Sequence, residues 1–272
     1  MSKREKKVIE YTDEINDDFA ETRIKQVPLG PKFKYVSKNI FFRFFGFYIY
    51  YFWCIPILWI VTKIHVGWKL KNKKVLKEVK GKGYFIYCNH TYMLDPIIHD
   101  IVNWPRRSYI IAGLDATSIK GIRWLVMMLG AIPLPDTVDN RKDFYDCIQY
   151  RIKEQKRAMV VYPEAHIWKY YTGIRPLRPA TFRFPVRLDV PVVIATTTWQ
   201  KRGWPWKRPR MIVNLAGPFY NKPELDELGN TDYITRTAQE VMNGFALAPG
   251  NFEYIQYKKA APKETITKEK TK

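Results

Sequence analysis

The chain divides into blocks of different hydrophobic period. Residues 1–31 mix both charge signs among few apolar positions and read as a polar arm. From Phe44 to Val61 there are eighteen residues without a charge, bracketed by Arg43 and Lys63. As a helix this run would extend about 27 Å, which only just matches a bilayer core. It is rich in Trp and Tyr, which favour the headgroup boundary, and Pro56 lies inside it. Lys32, Lys34, Lys38 and Arg43 precede it; Lys63, Lys69, Lys71, Lys73 and Lys74 follow. Basic flanks normally stay on the cytoplasmic side, so both ends are expected on one face. Residues 32–68 therefore read as a membrane-embedded or interfacial helical pair broken near Pro56, in preference to a single span or a buried core helix.

From Gly83 onward short apolar runs alternate with amphipathic ones. Strands are expected at Tyr84–Cys88, Tyr109–Ala112, Ala158–Tyr162, Pro191–Thr198 and Met211–Leu215. Helices are expected from Asp95 to Val102, with Asp95 as N-cap and Pro96 at the first helical position, and over Ile119–Leu129, Asp143–Gln155 and Thr231–Asn243. Gly130 marks a helix stop. This pattern predicts an α/β domain over 69–257, a mostly buried mixed sheet covered by helices. The Lys-, Thr- and Glu-rich tail, 258–272, is expected to be disordered.

Charge and cysteine content narrow the partners. With 272 residues and a net charge of +20, the chain favours anionic surfaces. Cys54, Cys88 and Cys147 stand far apart in no metal-ligand spacing, which fits buried free thiols in a reducing, cytosol-facing compartment. Residues 1–26 carry no secretory signal. The four histidines are scattered, so no metal is implied.

The densest chemistry is Asn89-His90-Thr91-Tyr92-Met93-Leu94-Asp95-Pro96, where a His and an Asp lie five apart between a buried strand and a helix. An imidazole can act as a general base at neutral pH, and a carboxylate bonded to it selects the tautomer and stabilises the imidazolium. Taken alone, this spacing favours a helix-capping Asp beside a loop His; the context of the surrounding motifs reverses that.

Asn89-His90 to Asp95-Pro96 resembles the first motif of the glycerolipid acyltransferases, the family of 1-acylglycerol-3-phosphate acyltransferases. Three further blocks follow in that family's order. Tyr109 to Pro135, above all Leu129-Gly130-Ala131-Ile132-Pro133-Leu134, resembles the second; Val160-Val161-Tyr162-Pro163-Glu164 the third; Val190-Pro191-Val192-Val193 the fourth. Together they cover roughly residues 84 to 200, and a membrane-binding N-terminal segment also fits. The resemblance implies that His90 deprotonates an acceptor hydroxyl, that Asp95 orients His90, and that the oxygen attacks the thioester of acyl-CoA or acyl carrier protein. It implies no covalent acyl-enzyme and no cofactor. The acceptor would be a lysophospholipid such as 1-acylglycerol-3-phosphate, acylated in phospholipid biosynthesis on the cytoplasmic face of a membrane.

The third block departs from the family's Pro-Glu-Gly-Thr-Arg, reading Pro163-Glu164-Ala165-His166-Ile167. Isoleucine cannot replace an arginine's bidentate fork on phosphate. The second block's lysine is also missing near Gly113. Candidate substitutes are His166, Lys169, Arg175, Arg178 and Arg183, and the substrate-binding set is read as Asn89, Glu164, His166, Arg175 and Arg178. The alternatives are an acceptor without a phosphomonoester, or a non-catalytic lipid-binding protein on the same fold. His65 and His99 read as structural. A basic cluster interleaved with tryptophan, Trp199 to Arg208, suits anionic lipid headgroups or single-stranded nucleic acid. The aromatic run at 44–61 decides for lipid, so membrane lipids are the expected partner and nucleic acid is not.

Overall fold

The computed structural model describes residues 7–20, 24–31, 33–119, 121–204, 206 and 208–260. In chain order its elements are β1 (Lys7–Tyr11), α1 (Ile40–Tyr48), a π-helical turn (Ile49–Cys54), α2 (Ile55–Val66), β2 (Lys69–Lys71), α3 (Val75–Glu78) and β3 (Tyr84–Cys88). Next come α4 (Asp95–Val102), β4 (Ser108–Ala112), α5 (Leu114–Thr117), α6 (Arg123–Met128), β5 (Ala131–Pro133), α7 (Asp139–Gln149) and β6 (Ala158–Val161). The chain closes with α8 (Arg183–Leu188), β7 (Val192–Gln200), β8 (Arg210–Phe219), α9 (Glu227–Leu247) and β9 (Ile255–Lys259).

Seven strands form one mixed sheet in the order β2-β8-β7-β3-β6-β4-β5. The β7–β8 pair is antiparallel and the other neighbours are parallel. Successive residues of β3 serve opposite faces, as strand geometry requires. Tyr84, Ile86 and Cys88 join a core with Tyr50, Ile55, Val66, Ile98 and Ile101 from the N-terminal helix and α4. Phe85 and Tyr87 join a second core with Phe144, Ile148, Ile234 and Met242 from α7 and α9. All five β3 residues are buried, which is why the strand reads as an unbroken apolar run.

The N-terminal helix runs unbroken from Ile40 to Val66, long and apolar enough to cross a membrane. Asn39 caps it by accepting the Phe42 N–H at 3.1 Å. The expected break at Pro56 is absent. Pro56 has no N–H to give Phe52, and its ring crowds the preceding turn. The wider turn at Ile49–Cys54, in which the Ile55 N–H reaches back to Tyr50 O, absorbs that conflict without ending the helix. Gly67, at φ +53°, closes the helix, and Arg202 donates to the terminal carbonyls of Ile64 and His65 at 3.3 Å each. One side packs on the domain: the Tyr50 hydroxyl donates to Asp100 at 2.8 Å. The other is open, with Phe41 71% and Phe44 63% exposed.

Two expectations about the ends need correction. Residues 7–11 of the arm form β1, paired in parallel with β9 at 255–259, so Lys258 and Lys259 belong to a strand and not to the tail. The rest of the expected disordered tail, from 261, lies outside the described residues. The sheet also extends past the expected strands, with β7 reaching Gln200 and β8 reaching Phe219.

Candidate active site

The site forms where β3 ends. Beyond the Cys88–Ala195 pairing, β3 and β7 separate. Asn89 continues the ladder with its side chain: Oδ1 accepts the Thr197 N–H at 2.7 Å and Nδ2 donates to Thr197 O at 3.0 Å. Asn89 is fully buried, so its amide aims the next residue and does not face a ligand.

His90 follows, 9% exposed. Its Nδ1 lies 3.2 Å from Asp95 Oδ2, and the same oxygen accepts the N–H groups of Thr91 and Tyr92 at 2.8 Å each. Asp95 thus folds back onto the turn as the spacing allows. It does not act as the N-cap of α4, which makes no side-chain cap bond. With its proton on Nδ1, facing the carboxylate, the ring has a free lone pair on Nε2. Among the described residues Nε2 has no hydrogen-bond partner. The arrangement is that of a base held in one tautomer by a buried carboxylate.

A second carboxylate holds the backbone of the same turn. Glu164 Oε2 accepts the His90 N–H at 3.1 Å, while Oε1 accepts the Arg175 N–H at 3.1 Å. Arg175 Nη2 meets Glu164 Oε2 at 3.1 Å, and both side chains are 1% exposed. Burial pushes the Glu164 carboxyl above its ordinary range, against the opposing pull of Arg175. The segment after Glu164 then runs beside the turn: the Trp168 N–H donates to His90 O at 3.2 Å and the Tyr170 N–H to Thr91 O at 2.8 Å.

Arg175 and Glu164, both read as substrate contacts, are therefore paired with each other in the interior. Arg175 also lies over the Trp168 ring, 5.0 Å from its centre. His166 faces Asp18 of the N-terminal arm, Nδ1 to Oδ2 at 3.8 Å. Arg178 reaches Ile15 O and Asn16 Oδ1 at 3.4 and 3.5 Å. The arm continues across the block, with the Trp168 indole donating to Asp17 O at 2.8 Å and the Phe19 N–H to Ile167 O at 3.0 Å. His166 and Arg178, both candidate substitutes for the missing arginine, thus meet the arm.

Three aromatic and histidine contacts escape the motif reading. The Tyr162 ring stacks on His90 with centres 4.2 Å apart, and its hydroxyl lies 2.7 Å from His99 Nδ1. Full burial depresses His99 to about 4, so it is neutral at pH 7. Tyr92 reaches His65 near the end of α2, at 3.3 Å from Nε2. Tyr162 ends an expected strand, Ala158–Tyr162, and the parallel pairing of β6 with β3 brings it to the same end of the sheet as His90. His65 carried no local signal.

The backbone at one departure in the third block is left-handed. Ala165, where the resembling family has glycine, sits at φ +65°, and the His166 N–H closes a three-residue turn onto Glu164 O at 2.8 Å. That conformation favours glycine because a Cβ crowds the following carbonyl.

Comparison with curated protein sequences gives no match. Among solved structures, the chain is similar to the crystal structure of the 1-acyl-sn-glycerophosphate (LPA) acyltransferase PlsC from Thermotoga maritima. The identity is 14% and the TM-score 0.48, over 76% of this chain and 79% of that one. Residues 68–196, the segment that carries His90, Asp95 and Glu164, match the family model described as Acyltransferase.

Proposed function

We propose that this protein transfers a fatty acyl group from acyl-CoA or acyl carrier protein to the hydroxyl of a lysophospholipid such as 1-acylglycerol-3-phosphate, at the cytoplasmic face of a membrane, in phospholipid biosynthesis. The observation that carries the reading is the His90–Asp95 contact inside the family-matched segment. In this scheme His90 Nε2 takes the acceptor hydroxyl proton as the oxygen attacks the thioester carbon. The C–S bond then breaks, and the imidazolium, stabilised by Asp95, returns the proton to the departing thiolate. The exposed apolar face of Ile40–Val66, with its other side packed on α4 and β3, supports a helix lying in the membrane interface beside the domain.

One observation favours a second reading of the acceptor. Ile167 stands where the family has arginine, and Arg175, one of the candidate substitutes, is turned onto Glu164. An acceptor without a phosphomonoester would need neither. The deciding experiment offers labelled palmitoyl-CoA, and separately palmitoyl-carrier protein, to the purified protein with a panel of acceptors, beside His90→Ala. Transfer to lysophosphatidic acid that is lost in the variant supports the first reading. Transfer only to acceptors lacking a phosphomonoester supports the second. Transfer undiminished in His90→Ala overturns the mechanism, and no transfer from either donor leaves a lipid-binding protein.

A further inference from the structure

A large cavity lies away from the His90 turn. It has a volume of about 1590 Å³ and opens between α1, α6 and α7, beneath the segment 33–39. Its position follows from strand direction. β3, β4 and β6 are parallel, and His90 follows the C-terminal end of β3. Arg107 and Arg157, in the cavity wall, directly precede β4 and β6 and so mark the opposite end of the sheet. A five-residue strand separates the two ends by roughly 16 Å. The N-terminal helix repeats the separation: Tyr51 lines the cavity, while His65, fourteen residues on and about 21 Å along the axis, touches Tyr92 beside the catalytic turn.

The walls are of two kinds. Phe44, Phe47, Trp124 and Met128 supply apolar surface, and Phe44 and Phe47 continue onto the exposed apolar face of α1. Among the described residues lining the cavity, seven are basic and two acidic, Asp143 and Asp146. Asp146 is already paired with Lys142 at 2.6 Å. The guanidiniums of Arg107 and Arg151 flank the Tyr109 ring, 5.1 and 4.2 Å from its centre. Arg107 donates to Met128 O and Arg151 Nη1 to Gln155 Oε1 at 2.8 Å, but neither arginine forms an ion pair among the described residues, and the Nε of each is buried without a hydrogen-bond partner.

We infer that this cavity holds one anionic phospholipid from the surrounding membrane, a bound lipid distinct from the substrates. The volume exceeds the usual 300–1,000 Å³ of a small-molecule pocket, as long chains require. The apolar wall is continuous with the surface through which chains would enter. Seven basic residues against two acidic ones give the walls an excess of positive charge that matches a phosphate, for which a guanidinium is well suited. The site is at the wrong end of the sheet to present a hydroxyl or thioester to His90. The inference rests on the membrane association proposed above, but not on the acyl transfer.

The test uses the full chain in detergent micelles doped with phosphatidylglycerol or phosphatidylcholine, with native mass spectrometry to count retained lipid. Wild type is expected to retain one phosphatidylglycerol and no phosphatidylcholine. Arg151→Gln, and Arg107→Gln where it keeps the wild-type circular dichroism, are expected to lose that lipid while still floating with vesicles. Equal retention of both lipids, unchanged retention in Arg151→Gln, or displacement of the lipid by palmitoyl-CoA would overturn the inference. In the first two cases flotation with vesicles would leave the membrane reading intact; failure to float would remove that reading too.

Discussion

Glu164 Oε2 accepts the backbone N–H of His90 at 3.1 Å, across 74 positions of sequence. The carboxylate that ends the third motif therefore positions the histidine of the first. It does so while paired to Arg175 in a site that excludes water. Removing one partner of such a pair strands the other charge. Glu164→Ala is expected to destabilise the fold by about 3–5 kcal/mol. The double variant Glu164→Ala with Arg175→Met should recover most of that loss. Urea unfolding of the three proteins checks this, and a Glu164→Ala protein as stable as wild type would show that the pair does not hold the turn.

Asp95 presents one oxygen to the His90 ring and to two backbone N–H groups. Asn at this position keeps the size but can offer an N–H to Nδ1, which favours the tautomer with the proton on Nε2 and no base. Asp95→Asn is expected to lower kcat by about 10²–10⁴-fold, the range for losing a general base, with KM for the acyl donor little changed. Steady-state kinetics decide it; a variant with wild-type kcat would remove Asp95 from the mechanism.

Ala165 holds a left-handed conformation in the turn that delivers Glu164. Ala165→Gly is expected to raise stability by about 1 kcal/mol, relief of Cβ crowding outweighing the extra unfolded-state entropy of glycine. Thermal unfolding would register this as a higher Tm. An unchanged or lower Tm would mean that the turn carries no strain at this residue.

His99 and Asp100 are neighbouring buried groups with opposite responses to pH. Burial lowers His99 from 6.5 to about 4, so the folded state binds fewer protons than the unfolded one between those values. Its contribution to stability is present near pH 7 and falls by about 3 kcal/mol as pH drops to 4. Burial raises Asp100 from 3.8 to about 6, so the folded state binds the extra proton. Its unfavourable charge is present above pH 6 and is relieved as pH falls toward 3.8. The two slopes offset each other in the wild type. His99→Gln is expected to gain stability between pH 7 and pH 5 relative to its own neutral value, and Asp100→Asn to lose it. Denaturant midpoints at the two pH values would expose the slopes, and parallel behaviour of both variants would refute the assignment.

The chain's local patterns determined much of this protein. Tyr84–Cys88 is buried on both faces, so its apolar run identified the strand and the turn after it. His90 and Asp95 share one turn, and five residues are few enough for spacing alone to make their contact feasible. The exposed apolar helix was legible for the same reason, since composition over one segment needs no partner.

Tertiary structure decided what depends on residues far apart. Arg175 read as a phosphate ligand because nothing local reveals that Glu164, eleven residues away, takes its charge in the interior. His166 and Arg178 read likewise until the arm met them, through Asp18 and through Ile15 with Asn16. The arm itself read only as polar, because a lone strand has no stability until β9, nearly the whole chain away, supplies its hydrogen bonds. Pro56 read as a break because a local rule cannot see that the preceding turn will widen and that tertiary packing on α4 will hold both halves in line. Propensity and spacing act over one or two turns of chain, whereas charge pairing and packing depend on which surfaces the finished fold brings together.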